Sequence, residues 1–381
     1  FFFFNDTATT EIYTLSLHAL FRSLTLARQA LGRTAPNPAV GAVLVRDGVV
    51  LGEGVTQPAG GPHAEIEALG AAAAAGHDTQ GASLFVTLEP CCHHGRTPPC
   101  TEALIAAGVS RAVIGVTDPN PLVRGKGIAQ LRAAGVHVDV GVRHEACARQ
   151  ILGFARAMVG GLPEVTVKVA TSLDGHIATN AGESQWITGD AARADGRSLR
   201  ATHDAILVGI GTALADDPRL TARTPGAHDP VPVVLDTHLR LPASARLLHG
   251  PQRAIVICGP HAPSRDLDAE VVRVAVDADG RVDPASALAA LAERGRHRVL
   301  VEGGGEVVRS LLAARLVDQV VLYLAGRIVP GGRPWVGGAA IERLADGPVL
   351  ELVDTSVVGG DVRLRYRASH RLQQPLAGLE G

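Results

Sequence analysis

The sequence predicts an α/β protein built from two domains of similar size. The chain has 381 residues, whereas a compact domain usually holds about 100 to 200. Short β-rich runs alternate with helical runs in both halves, which is typical of sheets covered by helices. Glycine and proline cluster in GFARAMVGGLP, at residues 153–163, just before a new series of strands begins. We place the domain boundary in this segment.

The first half alternates strands and helices from Leu24 onwards. The runs VGAVLV and VVLGEGV flank the turn Asp47-Gly48 and predict a hairpin. A helix is predicted for HAEIEALGAAAAAG, where Gly76 ends it, and a strand for SLFVTLEP. The following runs predict helix, strand, helix and strand in turn: CTEALIAAG, RAVIGVTDPNP, IAQLRAAG and VHVDVGV. This order predicts an α/β layer with mostly parallel strands.

The second half repeats the α/β pattern. Its predicted strands are EVTVKVA, DAILVGIG, PVPVVLD, RAIVIC, HRVLVEGGG and QVVLYLA, and its clearest helix is EVVRSLLAARL. The runs VLELVDTSVV and VRLRYRA flank Gly359, Gly360 and Asp361. This arrangement predicts an antiparallel hairpin that closes a mostly parallel sheet.

The amino-terminal segment differs in composition from the rest of the chain. Residues 1–23 hold five of the seven phenylalanines, and Asp6 and Glu11 stand where a signal peptide would carry basic residues. We interpret residues 1–23 as a non-native leader. The expected domains are then residues 24–158 and 163–368, followed by a tail at 369–381.

Composition argues against several classes of partner. The formal net charge is −2, so we expect no nucleic-acid partner. No apolar run reaches the length of about 18 residues that a membrane span needs, so we expect no membrane partner. The five cysteines are an odd number, and three of them lie in EPCCHHGRTPPC. This pattern favours a metal site in a reducing cytoplasm over a disulfide framework.

Four residues in the first half predict a catalytic zinc site. His63 and Glu65 form an H-x-E pair, and two Pro-Cys steps place Cys91 and Cys100 downstream, which is the signature of zinc deaminases. A catalytic zinc takes three protein ligands and keeps a fourth position open for water. We assign His63, Cys91 and Cys100 as the ligands. Glu65 is the expected catalytic residue, which moves protons while the metal makes water acidic enough to attack as hydroxide.

Two geometric arguments support this choice of ligands. Neighbouring side chains point in different directions, so Cys91 and Cys92 cannot both bind the same ion. Cys91 ends a strand and Cys100 opens a helix, whose partial positive charge favours a thiolate. Since residues i and i+2 of a helix point about 200° apart, His63 must lie outside the helix that carries Glu65. Cys92 and His93 are then loop residues, while His94 and Arg96 are candidates for the substrate entrance.

Motifs in both halves carry a resemblance to one known family. The first-half motifs are APNPAVGAVLV, HAEIEAL, VTLEPCCHHGRTPPCTEALIAAGV and TDPNP. The second-half motifs are KVATSLDGHIA, GESQWITG, DAILVGIGTALADDPRLTAR and VEGGGEVVRSLL. Together they resemble the bifunctional deaminase/reductases of riboflavin biosynthesis over roughly residues 24 to 367, with the motifs in the family's order. Cys92 departs from it, because the family commonly has serine there.

The resemblance implies the fold, the substrate and the cofactors. The fold would be a cytidine-deaminase-like three-layer α/β/α domain followed by a dihydrofolate-reductase-like α/β domain. The substrate would be 2,5-diamino-6-(5-phosphoribosylamino)pyrimidin-4(3H)-one, which loses its ring 2-amino group at the Zn²⁺ site. NADPH would then reduce its ribosyl group to ribityl. Asn37 is expected near the pyrimidine, and we expect a homo-oligomer.

In the reductase half, the residues carry less information of their own. Glycines between the strand and the helix of VLVEGGGEVVRSLL suit a cofactor phosphate, although such glycines are often only turns. By resemblance, the NADPH contacts are Ala170, Trp186, Thr212, Asp216, Gly304, Gly305, Glu306, Val307, Val308, Arg309 and Ser310. The substrate contacts are Ser184, Arg200, Leu220, Arg223 and Glu302, and Lys168 and Asp174 are supporting residues. Each arginine taken singly is better explained as a solvated surface charge, and Trp186 is equally explained as a core residue.

Two other functions compete with this one. The first is a deaminase of free nucleosides or nucleic-acid bases in which the second half sets specificity; the near-neutral charge and the long cysteine spacing disfavour it. The second is a regulatory or scaffold protein with a structural zinc. Glu65 beside His63 disfavours that reading, because a closed structural site needs no proton carrier.

Overall fold

The computed structural model describes residues 7–95, 98–338 and 341–368, with side chains from residue 17 onwards. Arg96 and the predicted tail at 369–381 lie outside the described residues. The chain divides into two compact units between Gly160 and Gly161. In the described part of the chain, no helix combines the length and apolar character needed to cross a membrane.

The first unit is a five-stranded sheet with helices around it. Its helices are α1 Thr7–Ala30, α2 Ala64–Ala74, α3 Cys100–Ala106, α4 Lys126–Ala133, α5 His144–Gln150 and α6 Leu152–Met158. Its strands are β1 Gly41–Arg46, β2 Val49–Val55, β3 Ser83–Val86, β4 Arg111–Ile114 and β5 His137–Val140, in the order β2-β1-β3-β4-β5. Strand β1 is antiparallel to both neighbours, whereas β3, β4 and β5 are parallel. Four of the five strands therefore run in the same direction, and only the hairpin strand β1 opposes them, which agrees with the prediction of mostly parallel strands. The antiparallel pairing of β1 with β3 was not predicted.

Glycines on the hairpin show that helices cover both faces of this sheet. A Cβ atom on Gly41 would lie 2.0 Å from the carbonyl oxygen of Ser23 in α1. A Cβ on Gly54, which pairs with Ala42, would lie 2.1 Å from the carbonyl oxygen of Ala64 in α2. Because successive strand residues point to opposite faces, α1 and α2 lie on opposite sides. The predicted three-layer α/β/α arrangement is confirmed.

Helix α1 crosses the predicted end of the leader without a break. Leu20 and Ser23 are fully buried, and the Ser23 hydroxyl donates to the carbonyl oxygen of Phe85, 2.9 Å away. These two residues therefore pack with the core of the first unit, and the domain start at residue 24 stays a prediction. The non-native origin of the segment before them stays a prediction.

The second unit is built on a nine-stranded sheet. Its helices are α7 Asp190–Ser198, α8 Ile210–Asp216, α9 Pro284–Glu293 and α10 Gly305–Ala313. Its strands are β6 Glu164–Thr171, β7 His176–Ala178, β8 Ala205–Gly209, β9 Val231–Leu235, β10 Ala254–Cys258, β11 Ala269–Arg273, β12 Arg298–Val301, β13 Gln319–Leu324, β14 Arg333–Pro334, β15 Glu351–Val358 and β16 Asp361–Arg367. The sheet order is β11-β10-β9-β8-β12-β6-β13-β16-β15, and β7 pairs separately with β14.

The topology of this sheet fixes where its site forms. The seven strands from β11 to β13 in the sheet order are parallel to one another. The last two pairings, β13 with β16 and β16 with β15, are antiparallel. The predicted mostly parallel sheet with a closing hairpin is confirmed. Because parallel strands end at the same edge, the segments that follow β6, β12, β8 and β9 lie side by side. Ligands of open α/β sheets bind at this edge.

The buried His203 predicts that the second unit loses stability in acid. Its Nδ1 donates to the carbonyl oxygen of Leu199 at 2.7 Å, and burial lowers the pKa of His203 to about 3. The unfolded chain binds a proton at pH values below about 6.5 that the folded unit excludes. The free energy of unfolding should therefore fall by about 2 kcal/mol between neutral pH and about pH 5.

Urea unfolding followed by tryptophan fluorescence tests this prediction. Both tryptophans of the chain, Trp186 and Trp335, belong to the second unit, so the signal reports on that unit alone. The variant His203→Gln removes the titrating group. We expect its stability to depend on pH less steeply than that of the wild type; equal slopes would contradict the assignment.

Candidate active sites

Three side chains of the first unit converge in the geometry of a zinc site. His63 caps α2 from outside the helix, Cys91 follows β3, and Cys100 is the first residue of α3. Their ligand atoms lie within 4.8 Å of one another. The Nδ1 atom of His63 is 3.5 Å from the Cys91 sulfur and 3.4 Å from the Cys100 sulfur. Tetrahedral zinc with ordinary bond lengths requires about 3.6 Å between such atoms, so the three residues fit the metal.

The surroundings of Cys91 favour the thiolate that zinc requires. Hydrogen bonds from the Cys100 thiol, His63 and the Cys100 backbone N–H lower the pKa of Cys91 to about 4. The N–H and the hydroxyl of Thr101 both donate to the Cys91 carbonyl oxygen at 3.2 Å. The start of α3 therefore fixes both the charge and the position of this ligand.

Cys92 lies outside the triad, as the argument from neighbouring side chains predicted. It is half-buried, and burial raises the pKa of its thiol. His94 lies nearby in the loop, with its Nε2 3.8 Å from Glu102. Arg96, the other candidate for the substrate entrance, is not among the described residues.

Glu65 is placed to act beside the metal. It is the second residue of α2, and 4 % of its surface is exposed. Burial, together with the negative charge of Cys91, raises the pKa of Glu65 to about 7. A carboxyl group with this pKa takes up and releases protons near neutral pH, as a general acid–base must.

A second buried carboxyl group, which the sequence did not single out, lies near this site. Asp118 follows β4 and is 6 % exposed. Burial is the main cause that raises the pKa of Asp118 to about 7, and the charges of Glu89, Cys91 and Glu65 add to it. No spacing rule connects Asp118 with the triad. Only the pairing of β3 with β4 brings them together.

The second unit holds a cavity of about 1300 Å³ at the carboxyl edge of its sheet. Nearly all the predicted reductase contacts line it. These are Lys168, Ala170, Ser184, Trp186, Arg200, Thr212, Asp216, Leu220, Arg223, Glu302, Gly304, Gly305, Glu306, Val307, Arg309 and Ser310. The side chain of Val308 is the exception, because it packs in the hydrophobic core with 1 % exposed. Val308 can offer a ligand only its backbone.

The glycine turn before α10 fits a cofactor phosphate. Gly304 caps the helix without a side-chain hydrogen bond, which leaves the first amides of α10 available to an anion. A Cβ atom on Gly305 would lie 2.8 Å from the carbonyl oxygen of Pro334. The turn therefore depends on glycine, and its free backbone amides suit a phosphate group.

Arg200 and Glu302 form a pair that the sequence did not predict. The Nε and Nη2 atoms of Arg200 donate to the two carboxylate oxygens of Glu302 at 2.9 and 2.8 Å. Its Nη1 atom donates to the carbonyl oxygen of Thr221 at 2.9 Å. Burial alone would raise the pKa of Glu302, but the charge and hydrogen bonds of Arg200 outweigh it and lower the pKa to about 2. Arg200 thus holds a charged Glu302 in place beside Lys168.

Several arginines surround Arg223, which lines the same cavity as Arg200. Arg197, Arg223 and Arg246 line the cavity, and within the described ranges no acidic side chain pairs with them. Burial, followed by repulsion from Arg200, Arg197, Arg246 and Arg219, lowers the pKa of Arg223. Such a cluster suits an anion with more than one negative charge. No sequence pattern singles out Arg197 and Arg246, because arginine is common throughout this chain.

Trp186 is exposed at the cavity wall, so its alternative assignment to the core is wrong. Its side chain is 59 % exposed, and the guanidinium of Arg193 lies 4.5 Å from its ring centre. A flat aromatic wall in a polar cavity suits a ring-shaped ligand.

Two further predicted residues, one in each unit, lie in turns. Asn37 is the first-unit residue predicted near the pyrimidine, and Asp174 is the second-unit residue predicted to support the reductase site. Asn37 is half-buried in the turn before β1, where the Thr34 hydroxyl donates to its carbonyl oxygen at 3.0 Å. Asp174 accepts the N–H of Val329 at 3.0 Å and so joins the β6–β7 turn to a neighbouring loop. The Asp174 side chain therefore connects these two loops by a hydrogen bond. A contact between Asn37 and the pyrimidine stays a prediction.

Comparison with known proteins gives a match for each unit. Residues 16–116 match the family model of the cytidine and deoxycytidylate deaminase zinc-binding region. Residues 163–364 match the model of the RibD C-terminal domain. The two matches together cover the zinc site and the cavity.

Similar proteins span nearly the whole chain. The riboflavin biosynthesis protein RibD of Bacillus amyloliquefaciens is 40% identical over 349 residues, which cover 90% of this chain and 93% of that protein. RibD of Escherichia coli strain K12 is 38% identical over 359 residues, which cover 90% and 96%. The crystal structure of a diaminohydroxyphosphoribosylaminopyrimidine deaminase/5-amino-6-(5-phosphoribosylamino)uracil reductase from Thermotoga maritima superposes with a TM-score of 0.85 at 35% identity, covering 94% of this chain and 99% of that one. The chain belongs to the RibD family of bifunctional deaminase/reductases of riboflavin biosynthesis.

Proposed function

We propose that this chain deaminates 2,5-diamino-6-(5-phosphoribosylamino)pyrimidin-4(3H)-one at the His63–Cys91–Cys100 site. The cavity of the second unit then reduces the ribosyl group with NADPH to give 5-amino-6-(5-phosphoribitylamino)uracil. The observation that carries the proposal is Glu65, a buried carboxyl group with a pKa near 7 beside the triad. The printed name of the Thermotoga relative, which gives both reactions, supports the substrate.

Glu65 carries the protons of the deamination. A zinc ion in the triad makes water acidic enough to serve as a nucleophile near neutral pH. Glu65 takes a proton as water adds to the ring carbon that bears the 2-amino group. It passes that proton to the adjacent ring nitrogen. Glu65 then moves the proton of the newly added hydroxyl group to the amino group, the carbon–nitrogen bond breaks to release ammonia, and the ring carbon becomes a carbonyl. A carboxyl group with a pKa near 7 suits both directions of transfer.

The reductase cavity acts by orientation. NADPH would supply the hydride, the glycine turn before α10 would hold its pyrophosphate, and Trp186 would contact the cofactor. Glu302 follows the end of β12, and Lys168 lies within the neighbouring strand β6, near enough for its charge to act on Glu302. We assign these two side chains to orient the sugar for hydride transfer. Arg200 keeps that carboxylate charged and fixed.

We place the substrate phosphate on the cluster around Arg223. The prediction from the sequence named Arg200 and Arg223 together. However, Arg200 already donates to Glu302 and Thr221, so Arg223 has more capacity for a phosphate. Arg197 and Arg246 extend this site.

Arg223→Ala should weaken substrate binding in the reductase step. Loss of charged hydrogen bonds of about 1.5 to 3 kcal/mol corresponds to a rise in KM of about 10-fold to 100-fold. Deamination by the same protein should change little. Arg200→Ala should also impair reduction, and it should lower kcat as well, because it leaves Glu302 buried without its partner.

Arg219→Ala is the matched control for Arg223→Ala. Arg219 is an exposed arginine of the same loop that does not line the cavity. Steady-state kinetics on the deaminated substrate should show a change in KM of less than about threefold. An equal effect of both variants would contradict a local phosphate site, and loss of both activities would contradict separate sites.

The whole proposal is tested by supplying the diaminopyrimidine with and without NADPH. Ammonia release should proceed without NADPH, and NADPH oxidation should begin only after deamination. Ammonia release that requires NADPH would contradict the assignment of the two reactions to two sites. Oxidation of NADPH without the substrate would contradict the reductase assignment.

The structure also supports our expectations about assembly and location. Strand β15 lies at the edge of the large sheet and exposes Val353 and Val357. Since exposed edge strands commonly pair with another chain, we propose a homo-oligomer. All five cysteines are free thiols, which suits the cytoplasm. The near-neutral charge suits a small-molecule substrate and neither nucleic acid nor a membrane.

A further inference from the structure

The carboxylate of Glu89 is buried two residues before the ligand Cys91. Only 3 % of Glu89 is exposed. Its Oε2 atom accepts the N–H groups of Asp118 and Gly125, both at 3.0 Å, and its Oε1 atom accepts that of Ile128 at 3.1 Å. All three donors belong to the segment 118–128, which follows β4 and begins α4. One side chain therefore holds this whole segment.

The segment 118–128 lies against the metal-binding end of β3. Strands β3 and β4 are parallel neighbours, so the residues that follow them lie side by side. Asp118 is close enough to Cys91 and Glu65 for their charges to act on it. At the other end of the segment, a Cβ atom on Gly127 would lie 2.2 Å from the carbonyl oxygen of Pro90. The segment is thus packed as a wall beside the metal site.

The metal ligands are held in place by other elements. Thr101 donates twice to the Cys91 carbonyl oxygen, and the Cys100 N–H donates to the Cys91 sulfur. His63 and Glu65 are fixed by α2. The segment 118–128 supplies none of the three ligands. Loosening it should leave the metal and Glu65 in position.

We propose that Glu89 is a positioning residue of the deaminase, which locks the segment 118–128 as the wall of the pocket that receives the substrate ring. Three hydrogen bonds to one buried carboxylate are a strong restraint, since each bond to a charged group contributes about 1.5 to 3 kcal/mol. The three hydrogen bonds fix the position of the pocket wall and so affect how tightly the substrate ring binds. They do not affect metal binding or proton transfer by Glu65.

The variant Glu89→Gln tests this proposal, because the amide keeps the shape but turns an NH₂ group towards backbone donors. We expect KM for deamination to rise by about 10-fold or more, whereas kcat changes by less than about threefold. Zinc content, measured by atomic emission on the purified protein, should equal that of the wild type. The reductase activity of the same chain should be unchanged, which shows that the second unit is folded, while the zinc content reports on the first unit.

Two further variants make the test decisive. Gly127→Ala pushes α4 away from Pro90 while keeping the carboxylate, so it should raise KM in the same way. Glu102→Gln is the matched control, since Glu102 lies two residues after Cys100 but is 54% exposed; its KM should change by less than about twofold. An unchanged KM in Glu89→Gln, or joint loss of zinc and kcat, would overturn the proposal. If Glu89→Gln fails to fold, Gly127→Ala decides by the same criteria.

Discussion

Glu65→Gln should abolish most of the deaminase activity while leaving zinc bound and the reductase intact. The amide has nearly the same shape, but it cannot accept a proton from water or pass one to the ring. Positioned acid–base groups typically contribute about 100-fold to 10,000-fold, so we expect a fall in kcat of that size. Ammonia release measures the loss, and reduction of the already deaminated substrate measures the second activity. We expect Glu65→Ala to show the same fall in kcat for deamination, with zinc bound and the reductase activity intact.

Glu67→Gln is the matched control on the same helix. Glu67 lies two residues further along α2 and accepts a hydrogen bond from Gln57 at 3.3 Å, away from the triad. Its deaminase activity should stay within about threefold of the wild type. Retained ammonia release in Glu65→Gln with zinc bound would refute the catalytic assignment.

The sequence predicted elements whose signals are local. Strands such as β8 and β9 are short runs of buried β-branched residues, and Gly76 and Gly108 end their helices with positive φ values. It missed β11, which is as long as β8 but mostly half-buried, and the pair β7–β14, whose strands have only three and two residues. It also missed the antiparallel pairing of β1 with β3, because register between distant strands is set by packing.

The difference between local signals and contacts between distant residues also explains which site residues could be predicted. His63, Cys91 and Cys100 belong to compact motifs whose residue types have few other uses, so spacing alone identified them. The pair Arg200 and Glu302 joins residues 102 positions apart, and no pattern links them. The resemblance includes Val308 among the cofactor contacts because it lies within the continuous run 304–310. The helix turns that side chain into the core.

Cys91→Ser should lose both zinc and deamination. A serine hydroxyl stays protonated at neutral pH and has a shorter reach than a thiolate, so the site keeps only two good ligands. Loss of a hydrogen bond behind a ligand already costs about 10-fold to 100-fold in metal affinity, so loss of the ligand itself should cost more. Zinc content after dialysis and ammonia release measure the two effects. Reduction should continue, because the cavity lies in the other unit.

Cys92→Ser separates the ligand from its neighbour. The two cysteines are adjacent in one loop, so substitution of either disturbs nearly the same backbone, and only the metal bond differs between them. Because Cys92 is outside the triad, Cys92→Ser should keep zinc and deaminate at a rate within about threefold of the wild type. If Cys92→Ser also lost zinc, the metal would depend on the loop as a whole. A normal zinc content in Cys91→Ser would instead mean that another side chain binds the metal.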